Sequence, residues 1–410
     1  FPQVRYQLFA TGGLDLDTPS KQDAASTARE HEPNASDWTD QLYMMRALEL
    51  AWRAAGRTDP NPLVGAVVVA NGDIIGEGYH HRCGDAHDEV EALVQAGERA
   101  RGGTMYVSLE PCAHYGRTPP CTDRIIAAGV SRVVFPALDP DPKVLGRGAT
   151  ALRDSGVRVD VGCLAASAVA TNLGYYRHRL GVGPTVTLKM AVTIDGKIAS
   201  APGRRDNVTG DEARLYVQRL RAVCDGIVVG LRTVQIDDPQ LDCRMIDCGT
   251  PPVPVVFDTR LHLSDNNRWS GQNRPFVVVC GADADAGRKS ALESRGARLL
   301  ECKTDGYGRV DVNDALRRLS EAGLQRLLVE GGAEIFSSFV NAGAWDAMYL
   351  FHSPKVFGSG GVSVFAGNRS VKPEAIALDA VRLDGDFMHR YLNRRTYEEI
   401  EARLEFGAGE

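Results

Sequence analysis

Along the first half of the chain the apolar positions change period several times, and each change predicts an element. Leu42, Met45, Ala47, Leu48 and Ala51 recur at helical spacing. The turn-forming segment Asp59-Pro60-Asn61-Pro62 then leads into an apolar run from Val64 to Val69, which reads as a buried strand. Further strands are expected at Ile74–Gly76, Thr104–Leu109, Arg132–Phe135 and Val157–Val161. They alternate with helices that open at Glu89 and Cys121 and cover Ala149–Ser155. A helix across Ala165–His178 and the turn Gly181-Val182-Gly183-Pro184 would bridge to a second unit.

The second unit begins with the apolar run Thr185–Val192, interrupted by Lys189. A buried run seldom carries a lone lysine without a partner or a task. Strands are expected at Gly226–Gly230, Val253–Phe257, Pro275–Cys280, Arg326–Glu330 and Met348–His352, with helices at Asp211–Val223, Val312–Ala322 and Ala333–Asn341. Both units are therefore α/β, with helices covering the faces of a sheet. No G-x-G-x-x-G follows the first strand and no G-x-x-x-x-G-K-[ST] occurs, so neither Rossmann nor P-loop chemistry is indicated.

Composition narrows the picture only a little. At 410 residues the chain is long enough for two domains, each with a core of its own. Hydrophobic residues make up 43% and charged residues 24%, ordinary for a globular protein, and a net charge of −6 offers no field for nucleic acid. There is no apolar stretch of the roughly eighteen residues that a membrane span needs, and the N-terminus lacks a signal-peptide layout. Cysteines without framework spacing fit a reducing, cytoplasmic compartment. Residues 1–36 read as a loosely structured extension.

The chemistry is carried by His87-Asp88-Glu89 and by Pro111-Cys112-Ala113-His114-Tyr115-Gly116-Arg117-Thr118-Pro119-Pro120-Cys121. One imidazole, two thiolates and a nearby carboxylate that is not a ligand are the components of a zinc site that turns water against an amino group on a heteroaromatic ring. Three ligands, His87, Cys112 and Cys121, leave the fourth position open, as catalysis requires and a structural site does not. Glu89 is placed to carry the proton from water to the departing ammonia. Cys121 opens a helix, where unpaired N–H groups favour a thiolate. His114 as a fourth ligand would fill the position that water needs. Cys163, Cys224, Cys280 and Cys302 read as small core residues.

Spacing discriminates further, because cytidine, nucleic-acid and tRNA adenosine deaminases carry P-C-x-x-C whereas eight residues separate Cys112 from Cys121. Together with Asp59-Pro60-Asn61-Pro62-Leu63-Val64-Gly65 and Gly76-Glu77-Gly78-Tyr79-His80, this insertion resembles the deaminase half of the bifunctional deaminase/reductase family of riboflavin biosynthesis. The resemblance runs from about Asp37 to near the C-terminus. It implies a cytidine-deaminase-like three-layer domain over residues 37–182 acting on a phosphoribosylated pyrimidinone, with Asn61, His80 and Arg117 as substrate contacts. Taken one at a time, these three also read as a turn residue and ordinary surface polar groups. Family members usually carry Ala where this chain has Asp88, which is either an outward-facing first-turn carboxylate or a group that perturbs the site.

In the second half, Val329-Glu330-Gly331-Gly332-Ala333-Glu334 is a strand ending in two glycines and opening a helix, a junction where backbone N–H groups can approach a phosphate. With Lys189-Met190-Ala191-Val192-Thr193-Ile194-Asp195-Gly196-Lys197 it resembles the reductase half of the same family. That implies a dihydrofolate-reductase-like α/β domain over residues 183–410, NADPH as cofactor beside Zn2+, reduction of the ribosyl group to ribityl, and a homo-oligomer. By the same resemblance Ala191, Asn207, Thr233, Asp237, Thr259 and the loop Gly332, Ala333, Glu334, Ile335, Phe336, Ser337 and Ser338 line the cofactor site. Arg205, Arg221, Leu241, Arg244 and Glu330 hold substrate, Arg221 and Arg244 being suited to phosphate. Lys189 and Asp195 are expected as a catalytic polar pair near the sugar carbon. Where the family commonly has the aromatic of W-I-T, this chain has Asn207-Val208-Thr209, and a stacking contact is expected to be missing.

Three alternatives stand beside the bifunctional reading. A degenerate reductase half would leave a monofunctional deaminase, a structural zinc would make the chain a scaffold or nucleotide-binding protein, and a nucleic-acid base would be a third kind of substrate. The open ligand position and Glu89 speak against the second, and the acidic net charge against the third.

Overall fold

The computed structural model describes residues 35–85, 87–115, 119–264, 267–269, 274–367 and 373–408. The first half forms a five-stranded sheet in the order β2-β1-β3-β4-β5, from β1 Gly65–Ala70, β2 Asp73–Tyr79, β3 Thr104–Val107, β4 Arg132–Phe135 and β5 Arg158–Val161. Strand β1 runs antiparallel to β2 and β3, whereas β3, β4 and β5 are parallel. Valines fill β1 because it is buried along nearly its whole length.

Around this sheet lie α1 Ala35–Ala51, α2 Asp88–Ala96, α3 Cys121–Ala127, α4 Arg147–Asp154, α5 Ala165–Thr171 and α6 Leu173–Leu180. Two glycines of β2 set how closely α2 can lie: a Cβ at Gly76 would stand 2.1 Å from the Ala92 carbonyl, and one at Gly78 2.3 Å from that of Asp88. Glycine is needed there for close approach, and α2 is the helix that brings His87 and Glu89 to the sheet. The single helix expected over Ala165–His178 is two helices. Asn172 leaves helical geometry at φ −111°, ψ 26°, and its amide accepts from Leu63 N and donates to Leu63 O, both at 2.8 Å. A side chain that satisfies a distant loop backbone outweighed the helical pattern.

The second half forms a nine-stranded sheet in the order β11-β10-β9-β8-β12-β6-β13-β16-β15. Its members are β6 Thr185–Thr193, β8 Gly226–Gly230, β9 Val253–Phe257, β10 Phe276–Gly281, β11 Ala297–Cys302, β12 Arg326–Val329, β13 Ala347–Ser353, β15 Ala375–Leu383 and β16 Asp386–Asn393. A separate small pair joins β7 Lys197–Ala199 to β14 Val362–Ser363. Pairing is parallel from β11 through β13 and antiparallel for β16 and β15. The helices are α7 Asp211–Ala222, α8 Leu231–Asp237, α9 Ala286–Glu293, α10 Val312–Glu321, α11 Ala333–Asn341 and α12 Arg394–Ala408.

Each half keeps apolar clusters of its own, and a further cluster spans both. One apolar cluster contains Trp52, Leu63 and Tyr176 together with Ile227, Val256 and Phe351. The Trp52 and Tyr216 rings lie 5.9 Å apart across the junction, and Arg177 of α6 is 3.0 Å from buried Asp346 of the second half. No helix among the described residues is long and apolar enough to cross a membrane.

Candidate zinc site and candidate cofactor cavity

In the first half three short segments converge. His87 is the N-cap of α2 at φ −73°, ψ 156°, Cys112 follows β3, and Cys121 is the first residue of α3. The His87 Nδ1 atom lies 3.7 Å from Cys112 Sγ and 3.2 Å from Cys121 Sγ, and the three ligand atoms all fall within 4.8 Å of one another. One nitrogen and two sulfurs at that separation suit zinc, and among the described residues no other group of three such side chains comes together. His114 is exposed and outside the cluster.

The electrostatics fit a dication. A hydrogen bond from Cys121 opposes burial and, with His87, holds the Cys112 thiol down at about 4. Cys121 is pushed up by Cys112 and by burial, and a metal ion would bind the pair as thiolates, releasing protons. Glu89 is 3% exposed and its Oε2 has no hydrogen-bond partner. Burial and the charge of Cys112 raise its pKa, while His87 works the other way. An orphaned buried carboxylate oxygen beside three ligands is what a catalytic water would satisfy.

Asp88 does not face outward. It is 2% exposed, and Oδ2 also lacks a partner. Burial, then the charge of Glu89, raises its pKa well above the ordinary carboxylate value. Asn61 Nδ2 lies 3.1 Å from His80 Nε2, and the His80 ring stands edge-on to His87 at 5.8 Å, so these two predicted contacts reach the zinc site together. Arg117 lies outside the described residues. Sequence reasoning missed Glu110, a buried carboxylate two residues before Cys112 that accepts the backbone N–H groups of Asp139 (3.1 Å), Gly146 (3.0 Å) and Ala149 (3.1 Å). It ties the ligand loop to the start of α4, where a Cβ on Gly148 would stand 2.1 Å from the Pro111 carbonyl. A carboxylate at the end of an apolar strand was the available signal.

In the second half a cavity of about 1080 Å³ opens across the C-terminal ends of β6, β8, β9 and β12. Ligands of open parallel sheets sit at such ends. Lys189 Nζ is 3.4 Å from Glu330 Oε2, and Arg221 holds the same carboxylate bidentately at 2.6 and 2.9 Å. Burial favours protonation of Glu330, but Arg221 and Lys189 outweigh it and hold the pKa at about 2. Asp237 is raised by burial, against the charges of Arg205 and Lys189.

Of the other predicted residues, Ala191, Arg205, Asn207, Thr233, Thr259 and Gly332 line this cavity, as do Ala333, Glu334, Ile335 and Ser338. Gly332 has φ +68°, and a Cβ on it would stand 2.9 Å from Thr233 Oγ1, so side-chain-free backbone is exposed where a phosphate could approach.

Several predicted residues stand elsewhere than on the cavity wall. Asp195 does not pair with Lys189: its carboxylate is exposed and accepts from Thr193 Oγ1 (2.5 Å), Phe357 N (3.2 Å) and Gly358 N (2.8 Å), fixing a turn outside the cavity wall. The partner of Lys189 is Glu330, reached across the neighbouring β12 strand end. Arg221 also lies outside the cavity wall, spending its fork on Glu330 and the Asp242 carbonyl. Leu241 is buried at φ +47°, and Arg244 pairs with Asp242; neither lines the cavity. Phe336 points into the core, and Ser337 accepts from Ala366 N at 2.9 Å, because the far side of α11 must pack on the sheet.

A three-ligand metal site with a buried carboxylate, joined to an α/β cavity built for a nucleotide, defines a zinc deaminase and a reductase carried on one chain. Residues 37–137 match the cytidine and deoxycytidylate deaminase zinc-binding region, and residues 184–387 match the RibD C-terminal domain. The riboflavin biosynthesis protein RibD of Aquifex aeolicus (strain VF5) is 39% identical over 322 residues, covering 78% of this chain and 88% of the relative. That of Escherichia coli (strain K12) is 36% identical over 332 residues, 78% and 89% of the two chains. Among solved structures, Acinetobacter baumannii RibD gives a TM-score of 0.61 at 34% identity, covering 87% of this chain and 99% of that one. A diaminohydroxyphosphoribosylaminopyrimidine deaminase/5-amino-6-(5-phosphoribosylamino)uracil reductase from Thermotoga maritima gives the same values. The chain belongs to the RibD family of bifunctional riboflavin biosynthesis enzymes. Its folds are the cytidine-deaminase-like and dihydrofolate-reductase-like α/β domains of that family, and its cofactors are Zn2+ and NADPH. Nothing found supports a degenerate reductase half.

Proposed function

We propose that the chain removes the amino group of 2,5-diamino-6-(phosphoribosylamino)pyrimidin-4-one at the His87–Cys112–Cys121 site and then reduces the ribosyl group of the product to ribityl in the Lys189–Glu330 cavity. The observation that carries the first step is the unpartnered Glu89 Oε2 buried beside three zinc-type ligands. The second rests on the open cavity at the sheet's C-terminal ends. We take the division between the two catalytic units at about residue 182.

When bound, zinc supplies a water acidic enough to lose a proton near neutral pH, and NADPH supplies hydride. His87, Cys112 and Cys121 hold the metal. Glu89, with its pKa raised by burial and by Cys112, takes up a proton at Oε2 and returns it to the departing amino nitrogen. Asn61 and His80 orient the pyrimidinone by donor and acceptor contacts. At the second site Glu330 fixes the Lys189 ammonium, which neutralises charge developing on the opened sugar, and Arg205 holds the phosphoribosyl end. The nine free cysteines suit a reducing cytoplasm, and the acidic net charge suits a small substrate rather than nucleic acid. Homo-oligomerisation is to be measured by light scattering.

Product analysis with the pyrimidinone tests both steps. Ammonia and a deaminated intermediate should accumulate without NADPH, and adding NADPH should convert the intermediate with loss of NADPH absorbance. Intermediate that persists after NADPH is added would sink the second step.

A further inference from the structure

The cavity extends well beyond the groups that the proposed reaction uses. From Lys189 on β6 to the loop after β9 is three strand spacings, about 14 Å. This is the reach of an extended dinucleotide, with Gly331 and Gly332 between the two ends. The far end is built from Thr259, Arg260 and His262 after β9, and from Tyr307 and Arg309 of the loop between β11 and α10. It runs into a neighbouring hollow of about 620 Å³ that shares Thr259, Arg260 and His262 and adds Asp283, Asp285 and Arg288, Asp285 being occupied with the Arg288 backbone N–H at 2.9 Å.

That loop is a constructed part of the wall. Asp305 Oδ1 accepts the backbone N–H groups of Tyr307 at 2.8 Å and Arg309 at 2.9 Å, and Val310 N donates to Thr259 Oγ1 at 3.3 Å. So held, Tyr307 stands 81% exposed at the cavity edge, with the Arg309 guanidinium 5.2 Å from its ring centroid. The cations differ in their commitments. Arg309 is paired with Asp305, and Arg288 donates to the Arg260 carbonyl, whereas Arg260 is exposed and forms no ion pair among the described residues.

We propose that this end of the cavity holds the adenosine 2′-phosphate of the cofactor, with Arg260 as the charged group that selects it and the Tyr307 ring stacking on the adenine. Arg260 then sets the preference for the phosphorylated dinucleotide, and Tyr307 contributes equally to both forms. The inference rests on the reading of this cavity as the cofactor site.

Calorimetric titration of the zinc-loaded full chain with NADP+, NAD+ and adenosine 2′,5′-bisphosphate tests it without turnover. Removing a charge-assisted phosphate contact should weaken NADP+ and the bisphosphate by about tenfold to a hundredfold in Arg260→Ala, with NAD+ unchanged and partial recovery in Arg260→Lys. Tyr307→Ala should weaken NADP+ and NAD+ by the same factor. Equal loss of both dinucleotides in Arg260→Ala, or loss of neither, would overturn the assignment, and retained NAD+ binding reports an intact fold. A wild-type chain that binds neither dinucleotide would overturn the reading of the cavity itself.

Discussion

The two sites of this molecule are built in opposite ways. The zinc site draws its ligands from His87, Cys112 and Cys121, within one compact stretch of chain, and each group aims at a single point. The reductase cavity gathers residues from Lys189 to Ala366, taken from the ends of several strands, and surrounds a volume. A metal ion demands fixed donor types at fixed distances, so its signature survives as a motif. A dinucleotide demands length, backbone N–H groups and a few charges, which many sequences can supply. The acids are handled oppositely too. Glu89 is left without a hydrogen-bond partner at Oε2, whereas Glu330 is held by two cations.

The largest effect should come from Glu89→Gln. Losing the proton carrier should lower ammonia release by about 10² to 10⁴ while zinc content and reduction of deaminated substrate persist. Metal analysis and separate assays check this, and loss of zinc in the variant would mean that Glu89 is a ligand. Chelation should produce the same split, abolishing deamination and sparing reduction. Glu330→Gln attacks the other site, where Arg221 and Lys189 would be left buried without their counter-charge. A destabilisation of about 3–5 kcal/mol and loss of reduction are expected. Because one apolar cluster spans the two halves, calorimetry should show one transition moving down, and two separated transitions would break that expectation.

The pH dependence of stability should sharpen the contrast. Glu330 has a folded pKa of about 2 against an ordinary 4.5, so the stability it contributes is present above 4.5 and lost as pH falls toward 2, on the order of 3 kcal/mol. Asp139 in the first half is raised by burial to about 6 from 3.8, so its contribution is full below 3.8 and lost as pH rises through 6. Unfolding curves of Asp139→Asn should therefore flatten between those two values, and an unchanged pH profile would contradict the assignment. The smallest effect concerns the ion pair of Asp59 and Arg326 across the two halves, 2.6 Å long but largely exposed on the Asp side. Asp59→Ala should cost less than about 1 kcal/mol in a denaturant titration.

What escaped the sequence has particular causes. Strands β11 and β15 are the two edges of the large sheet, half-exposed, and carry polar residues that blur the period. Strand β16 inverts the expected pattern: Asp386 and Arg390 are buried and Phe387 is exposed, because Asp386 accepts Gly210 N and Arg390 pairs with Asp379. Arg221 was legible as a guanidinium suited to phosphate, yet only the fold brings Glu330 against it from 109 positions away. Asp195 sits beside a strand of the right kind but turns its carboxylate to the backbone of Phe357 and Gly358.

By itself the sequence determined the α/β class of both halves and pointed to His87, Cys112 and Cys121, which the fold brings together, and to Glu89 beside them. These depend on local period and on donor chemistry, which are written residue by residue. Tertiary structure alone decided that Asp88 is buried beside the site, that Lys189 answers to Glu330, that Arg221 stands behind it, and that one apolar cluster joins the two halves. Each of these is a pairing between distant positions, and the free energy of burying a charge or an apolar face depends on which partner the fold supplies.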